Sequence, residues 1–126
     1  MDISIIIFLL GGLFLGWSLG ANDAANVFGT AVGTRMVRFK TAAIVCSIFV
    51  ILGAIISGSG TTETLGKLGA INALPGAFAA CVAAGLSVYL MTKAGLPVST
   101  TQAIVGAIVG WNLYTGSDTN ITVLIT

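Results

Sequence analysis

Long apolar runs restrict this sequence to very few kinds of fold. Residues 3–19 and 41–58 carry no charged side chain, and residues 77–92 and 103–109 are equally apolar. With five basic and four acidic side chains and a mean hydropathy of +1.07, the chain cannot form the polar surface of a soluble domain. A helix crosses the ~30 Å apolar core of a bilayer with about 20 apolar residues. The sequence therefore predicts an all-α, polytopic transmembrane helical bundle, located in the cell membrane (plasma or inner).

Residues 1–126 are predicted to form a single membrane domain. Its expected spans lie at about 41–58, 75–92 and 101–115, and a further span begins at 121–126. Residues 3–34 would extend about 48 Å as one straight helix, which exceeds the thickness of the bilayer core. We therefore expect this segment to break at the polar residues 20–26, as a hairpin or, preferably, as one broken crossing with an external N-terminus.

Charged residues set the predicted orientation. The segment Arg35–Lys40 contains three cations within six residues, so the positive-inside tendency places it in the cytoplasm. The loop at 59–74 contains one acid and one base and is predicted outside. By the same bias we expect Lys93 inside and Asp118 outside.

Glycines recur at four-residue spacing in the first segment. Gly12, Gly16 and Gly20 form one such series, and Gly29 and Gly33 continue it. Because small residues on one helix face let another helix approach closely, we interpret the series as a packing stripe rather than a ligand site.

An acid lies inside the first apolar segment. Asp23 is flanked by Asn22 and Asn26, within one helical turn. An ionisable side chain at membrane depth is costly and indicates a functional site. Amide groups suit an oxyanion, whereas carboxylate and carbonyl oxygens suit a hard cation such as sodium. Because an ionised Asp23 repels anions, a bound cation or proton must compensate, which predicts coupled transport.

A second polar interruption covers residues 95–102. Pro97 precedes Ser99, Thr100 and Thr101, after which an apolar helical pattern resumes. A helix N-terminus attracts anions, and these hydroxyls are both good caps and hydrogen-bond donors. Discontinuous or re-entrant backbone at such breaks is tolerated where it lines a cavity. The alternative is structural: Asp23 pairs with a base from elsewhere, and Ser99 to Thr101 cap a helix without a ligand.

Both interruptions match a known family. The stretch Gly20-Ala-Asn-Asp-Ala-Ala-Asn-Val-Phe-Gly-Thr-Ala-Val-Gly33 closely resembles the signature of the inorganic phosphate transporter (PiT) family. Leu96-Pro-Val-Ser-Thr-Thr-Gln-Ala-Ile-Val-Gly-Ala-Ile-Val-Gly110 resembles its second element. The resemblance implies a cation-coupled phosphate symporter with inverted-topology repeats. Since one copy of the signature is present, it implies the N-terminal half, with a C-terminal repeat half of the same transporter as partner.

The resemblance also implies site residues. For phosphate these are Asn22, Asp23, Asn26, Ser99, Thr100 and Thr101. For sodium they are Gly20, Ala21, Asn22, Asp23, Asn26 and Gln102. Family members often carry His where this chain has Gln102, and since Gln does not titrate we favour sodium over proton coupling.

Several functions stay open from the sequence. The first hypothesis is sodium-coupled phosphate symport by alternating access, with phosphate, sodium and the lipid bilayer as partners and no prosthetic group. Proton-coupled phosphate or sulfate symport is the alternative within transporters, and a non-transporting membrane scaffold or assembly subunit is the alternative of another class. We predict no enzyme and no nucleic-acid partner, because the chain has no His, metal triad or nucleotide-binding loop. A homo-oligomer is left open.

Overall fold

The fold is helical throughout the part that is described. The computed structural model describes residues 3–68 and 74–119, which contain no strand. Its helices are α1 (Ile3–Gly33), α2 (Phe39–Leu68), α3 (Leu74–Lys93) and α4 (Thr100–Thr115). The predicted all-α class is confirmed, whereas the expected start of a further span at 121–126 lies outside the described residues.

Three helices are long and apolar enough to cross a membrane. They are Ile3–Gly33, the Phe39–Glu63 part of α2, and Leu74–Lys93. With 16 residues, α4 extends only about 24 Å, which is less than the bilayer core of about 30 Å. The helix expected at 101–115 is therefore present, but it is too short for a crossing of its own.

The predicted break in the first segment is wrong. One continuous α-helix of 31 residues runs from Ile3 to Gly33 and passes through residues 20–26 without interruption. Ala21, Ala24 and Ala25 favour the helix, and the stretch contains no proline. The polar side chains leave the backbone hydrogen bonds of the helix intact, so α1 reaches about 46 Å and exceeds the bilayer core.

The predicted loop at 59–74 is also largely helical, because α2 continues to Leu68. Lys67 and Glu63 form an ion pair at 2.6 Å, one turn apart. The Thr62 hydroxyl donates to the Gly58 carbonyl at 2.8 Å. Pairs at this spacing support an exposed helix, so the polar composition marks a helix end rather than a loop.

Helix α3 lies between α1 and α4. The ring of Phe78 in α3 lies against Gly11 of α1, and the ring of Phe14 in α1 lies against Gly85 of α3. Gly11 of α1 thus contacts residue 78 of α3, and Phe14, further along α1, contacts residue 85, further along α3. The two helices are therefore parallel. This agrees with the orientation expected from the charged residues.

Helices α3 and α4 form an antiparallel hairpin. Trp111 of α4 lies against Gly76 at the start of α3. Ala80 and Ile108 form a small buried cluster between the two helices. The hairpin tip, residues 94–99, joins α3 to α4.

The predicted glycine stripe is not a contact surface within the described part of the chain. Gly12, Gly16, Gly20, Gly29 and Gly33 have no neighbouring helix within 4 Å of the Cβ position. The face of α1 that is buried carries Gly11, Ser18 and Asn22 instead. Spacing alone located a face of small residues, but not the face that meets α3.

Candidate functional site

The hairpin tip begins where glycine and proline end α3. The Gly95 N–H donates to the Thr92 carbonyl and the Leu96 N–H donates to the Met91 carbonyl, both at 3.0 Å. Gly95 has φ +70°, which is the left-handed conformation of this type of helix cap. Pro97 follows and prevents the helix from continuing.

Helix α4 starts with the predicted polar residues. Ser99 is the N-cap, and its side chain accepts a hydrogen bond from the Gln102 N–H at 3.4 Å. Thr100 is half-buried, whereas Thr101 and Gln102 are exposed. The first turn of α4 therefore brings free backbone N–H groups and several hydroxyls together, and such an arrangement suits an oxyanion.

Asn22 of α1 lies against this hairpin tip. Its side chain is only 4% exposed, and its Nδ2 donates to the Val98 carbonyl at 3.2 Å. Its Oδ1 accepts a hydrogen bond from the Thr92 hydroxyl at 3.2 Å. Asn22 therefore connects α1 to the last turn of α3 and to the residue just before Ser99. The two polar stretches of the sequence meet in space at this residue.

The position of this contact along α1 indicates its depth. Asn22 precedes the helix end at Gly33 by 11 residues, or about 16 Å. The basic turn Arg35–Lys40 follows that end. With the basic turn at the membrane surface, as its charge predicts, about 16 Å is roughly half of the bilayer core. The hairpin tip thus lies beside the middle third of α1.

Lys93 shares this level. It follows Thr92 directly and ends α3, so it lies near Asn22 along the helix axis rather than near the basic turn. Its Nζ lies 5.9 Å from the centre of the Tyr89 ring, within the range of a cation–π interaction. The sequence predicted Lys93 on the inner side, as for the basic turn, whereas along the helix axis it lies about as far from that turn as Asn22 does.

The predicted cluster around Asp23 is divided between two sides of α1. Asn22 faces α3, whereas Asp23 and Asn26 are exposed. Asp23 lines a groove between α1 and α2, to which Cys46 and Phe49 of α2 also contribute. Its Oδ1 accepts a hydrogen bond from Asn22 Nδ2 at 3.1 Å, so the carboxylate still touches the amide that contacts the hairpin tip.

The expected cation ligands have different surroundings. Gly20 and Ala21 lie inside a continuous helix, where backbone carbonyls accept the hydrogen bonds of the following turn. Residues 3–68 and 74–119 contain no group of three His, Cys, Asp or Glu side chains that could hold a metal ion. A cation at Asp23 would therefore need neutral oxygens, which asparagine, glutamine and hydroxyl side chains supply.

Sequence reasoning missed three polar residues near these helices. Thr92 makes the interhelical hydrogen bond described above. Ser18 is 2% exposed and Asn112 is fully buried, and neither the Ser18 Oγ nor the Asn112 Oδ1 has a partner in the described part of the chain. Ser18 lies one turn before Asn22 on the same helix face. All three are polar residues within apolar helices, and this feature of the sequence could have identified them.

These features define a multi-pass membrane protein with a polar contact beside the middle of a long helix. Residues 19–125 match the model of the phosphate transporter family. The chain belongs to this family of transporters, which confirms the recognition made from the two motifs and agrees with the prediction that it is not an enzyme.

Several proteins that carry the name "Putative phosphate permease" are similar to this chain. The protein of Thermococcus kodakarensis is 37% identical over 92% of this chain and 31% of its own length. The protein of Pyrococcus abyssi is 39% identical over 94% and 31%, and that of Chlamydia pneumoniae 36% identical over 91% and 29%. The chain thus spans about a third of these relatives. No solved structure matches it.

Proposed function

We propose that this chain forms one half of the substrate site of a sodium-coupled phosphate symporter. One observation carries the proposal: Asn22 joins the middle of α1 to the Val98 carbonyl, next to the N-terminus of α4. Membership in the phosphate transporter family supports phosphate as the substrate. The other half of the site is assigned to a C-terminal repeat of the same transporter.

Phosphate binds at the first turn of α4 in this proposal. The N-terminal end of a helix carries a partial positive charge and free N–H groups. Ser99, Thr100 and Thr101 add hydroxyl donors there, and the Asn22 and Asn26 amides add donors from α1. Phosphate has several strong acceptor oxygens, so a set of neutral donors at membrane depth matches its chemistry.

Sodium binds on the Asp23 side of α1. An ionised carboxylate beside a phosphate anion is unfavourable, and a cation between them removes the repulsion. Asp23 and Asn26 supply the oxygen ligands that hard cations prefer. Gln102, another predicted ligand, lines a cavity between α3 and α4 and is not part of this group. Sodium therefore enters first, phosphate follows, and alternating access exposes the loaded site to the other side of the membrane.

Reconstitution of the full-length protein in proteoliposomes tests this function. We expect an inward sodium gradient to drive the uptake of labelled phosphate. Asp23→Asn is expected to lower sodium-driven uptake at least tenfold, because it removes the only charged ligand proposed for the cation. Asp118→Asn, at an exposed loop position after α4, is the matched control and should retain full uptake. Uptake that needs no cation gradient, or that is insensitive to Asp23→Asn, would contradict the proposal.

Competing ions separate the alternatives within the transporter class. Sulfate is also a tetrahedral oxyanion, so the donors at the first turn of α4 do not distinguish it by shape. Unlabelled sulfate in excess should leave phosphate uptake unchanged if the transporter takes phosphate alone, and should inhibit it if the site accepts both anions. If sodium is the ion that compensates Asp23, a proton gradient without sodium should drive no uptake; uptake driven by protons alone would favour proton coupling through Asp23.

A further inference from the structure

We propose that Thr92 is a positioning residue: its hydroxyl holds the Asn22 amide against the hairpin tip and so keeps the tip against α1. The part of this inference that concerns transport rests on the proposed function. The part that concerns the hairpin tip rests only on the contacts of the described residues.

The hydrogen bonds of Asn22 fix the direction of its amide. The two donors of Nδ2 are used by the Val98 carbonyl and Asp23 Oδ1, at 3.2 and 3.1 Å. The carbonyl oxygen Oδ1 accepts from Thr92. A hydroxyl can donate to an amide oxygen in this place, whereas an apolar side chain cannot. The Val98 carbonyl and the Asp23 carboxylate only accept, so they set the direction of the amide. The Thr92 hydrogen bond to Oδ1 anchors the amide in that place.

The Thr92 hydroxyl is used differently from other hydroxyls in these helices. Ser47, Thr62 and Ser87 donate to the carbonyl four residues earlier in their own helix, each at 2.8 Å. Thr92 instead donates across the interface to α1. Its hydrogen bond joins two elements that are 70 residues apart in the sequence, and its loss affects their contact rather than one helix.

The contact is well placed to act on substrate binding. Val98, whose carbonyl accepts from Asn22, directly precedes the N-cap Ser99 of α4. A phosphate at the first turn of α4 can replace this carbonyl as the acceptor without rotation of the amide. Without the Thr92 hydrogen bond the Oδ1 end of the Asn22 side chain is no longer anchored, so its N–H groups are less often in place for the anion. Thr92 therefore raises the affinity for phosphate without touching it.

Transport kinetics of the full-length protein test this role. Thr92→Val is expected to raise the KM for phosphate about fivefold, the effect of losing one hydrogen bond, while the maximal rate changes less than twofold. Thr92→Ser keeps the hydroxyl and should restore the KM. Thr62→Val is the matched control, because that hydroxyl bonds only within α2. An unchanged KM in Thr92→Val, or a KM that Thr92→Ser does not restore, overturns the inference.

A thiol-labelling experiment tests the same contact without transport. Val98→Cys is introduced into a cysteine-free background, in which Cys46, Cys81 and any other cysteine are replaced by alanine. The substitution keeps the backbone carbonyl that accepts from Asn22. Addition of Thr92→Val should increase labelling by a polar thiol reagent about fivefold, whereas Thr92→Ser and Thr62→Val should not. Equal labelling rates in all variants overturn the inference, and folded protein is selected beforehand by gel filtration.

The two experiments separate the two proposals. Faster labelling in Thr92→Val, together with no phosphate uptake by the unaltered protein, supports the role of Thr92 at the tip and rejects the proposed function. Normal phosphate uptake with unchanged KM and unchanged labelling rejects the role of Thr92 and leaves the proposed function standing.

Discussion

Helices α2 and α3 have similar apolar character but different surroundings. In an 18-residue stretch of α2 with a mean hydropathy of 2.4, 6% of the residues are buried, whereas in an 18-residue stretch of α3 with a mean hydropathy of 1.8, 28% are buried. The less hydrophobic helix is thus the one inside the bundle. The buried residues of α3 are Gly76, Ala80, Ala84, Gly85 and Val88. Between these two helices, the one with small side chains on its surface is buried, although its mean hydropathy is lower.

The physical reason is the solvent. Lipid chains are as apolar as leucine, so a large aliphatic side chain gains little by leaving lipid for protein. Close van der Waals contact decides which helices pack, and small residues allow the backbones to approach. On α2 the large residues Ile55, Ile56 and Phe49 remain exposed, and only Ala42 among its described side chains is buried.

The largest test of this difference places a leucine on each helix. Gly85→Leu should lower the free energy of unfolding by about 3 kcal/mol or more. A Cβ at Gly85 would lie 2.9 Å from the Phe14 ring and 3.3 Å from the Leu15 Cα, and the backbone atom cannot move without displacing α1. Unfolding in detergent, followed by circular dichroism during an SDS titration, measures the change.

Gly53→Leu on α2 is the matched control. No neighbouring helix in the described part lies within 4 Å of its Cβ position, so the free energy of unfolding should change by less than about 0.5 kcal/mol. An equal loss in both variants would contradict the contrast and would mean that the outer face of α2 is covered in the full-length protein.

A smaller effect is expected where the neighbour can move. A Cβ at Gly76 would lie 2.8 Å from Nε1 and 2.9 Å from Cε2 of Trp111. Gly76→Ala should therefore destabilise the α3–α4 hairpin by about 1 to 2 kcal/mol, since the indole shifts but α3 does not. Trp fluorescence during SDS unfolding, in a background where Trp111 is kept and every other tryptophan, including Trp17, is replaced by phenylalanine, reports the change in the surroundings of Trp111.

Gly58→Ala on α2 has no such neighbour within the described residues, so it serves as the control. It should be neutral or slightly stabilising, because alanine favours a helix more than glycine does. A neutral Gly76→Ala would show that the indole has room to move, and would restrict the close contacts of α3 to its interface with α1.

Much of the fold could be predicted because helices follow local pattern. The sequence placed helices near the observed α3 and α4, and the charge distribution implied parallel α1 and α3. The break at residues 20–26 was wrong because polarity was treated as a helix breaker, whereas Ala21, Ala24 and Ala25 continue the helix. Proline and glycine did end α3 as expected, at Gly95 and Pro97.

The sequence grouped the proposed site residues, but it did not predict on which side of α1 each of them lies. Asn22 and Asp23 were grouped by spacing, yet adjacent helical residues point about 100° apart. Asn22 therefore meets α3 while Asp23 lines the groove beside α2. The role of Thr92 could not be predicted, because its partner Asn22 is 70 residues away in the sequence. The local sequence pattern carries no information about such a contact.

The smallest expected effect compares two serines. Ser18 of α1 is 2% exposed against α3, and its Oγ has no partner in the described part of the chain. Because an unsatisfied buried hydroxyl is unfavourable, Ser18→Ala should stabilise the protein by about 1 kcal/mol. Ser47→Ala on α2 removes an exposed hydroxyl that donates to the Ala43 carbonyl, and should change the stability by less than about 0.5 kcal/mol. Both are measured by SDS titration. A destabilised Ser18→Ala would mean that this hydroxyl binds a water or an ion between α1 and α3, one turn from Asn22.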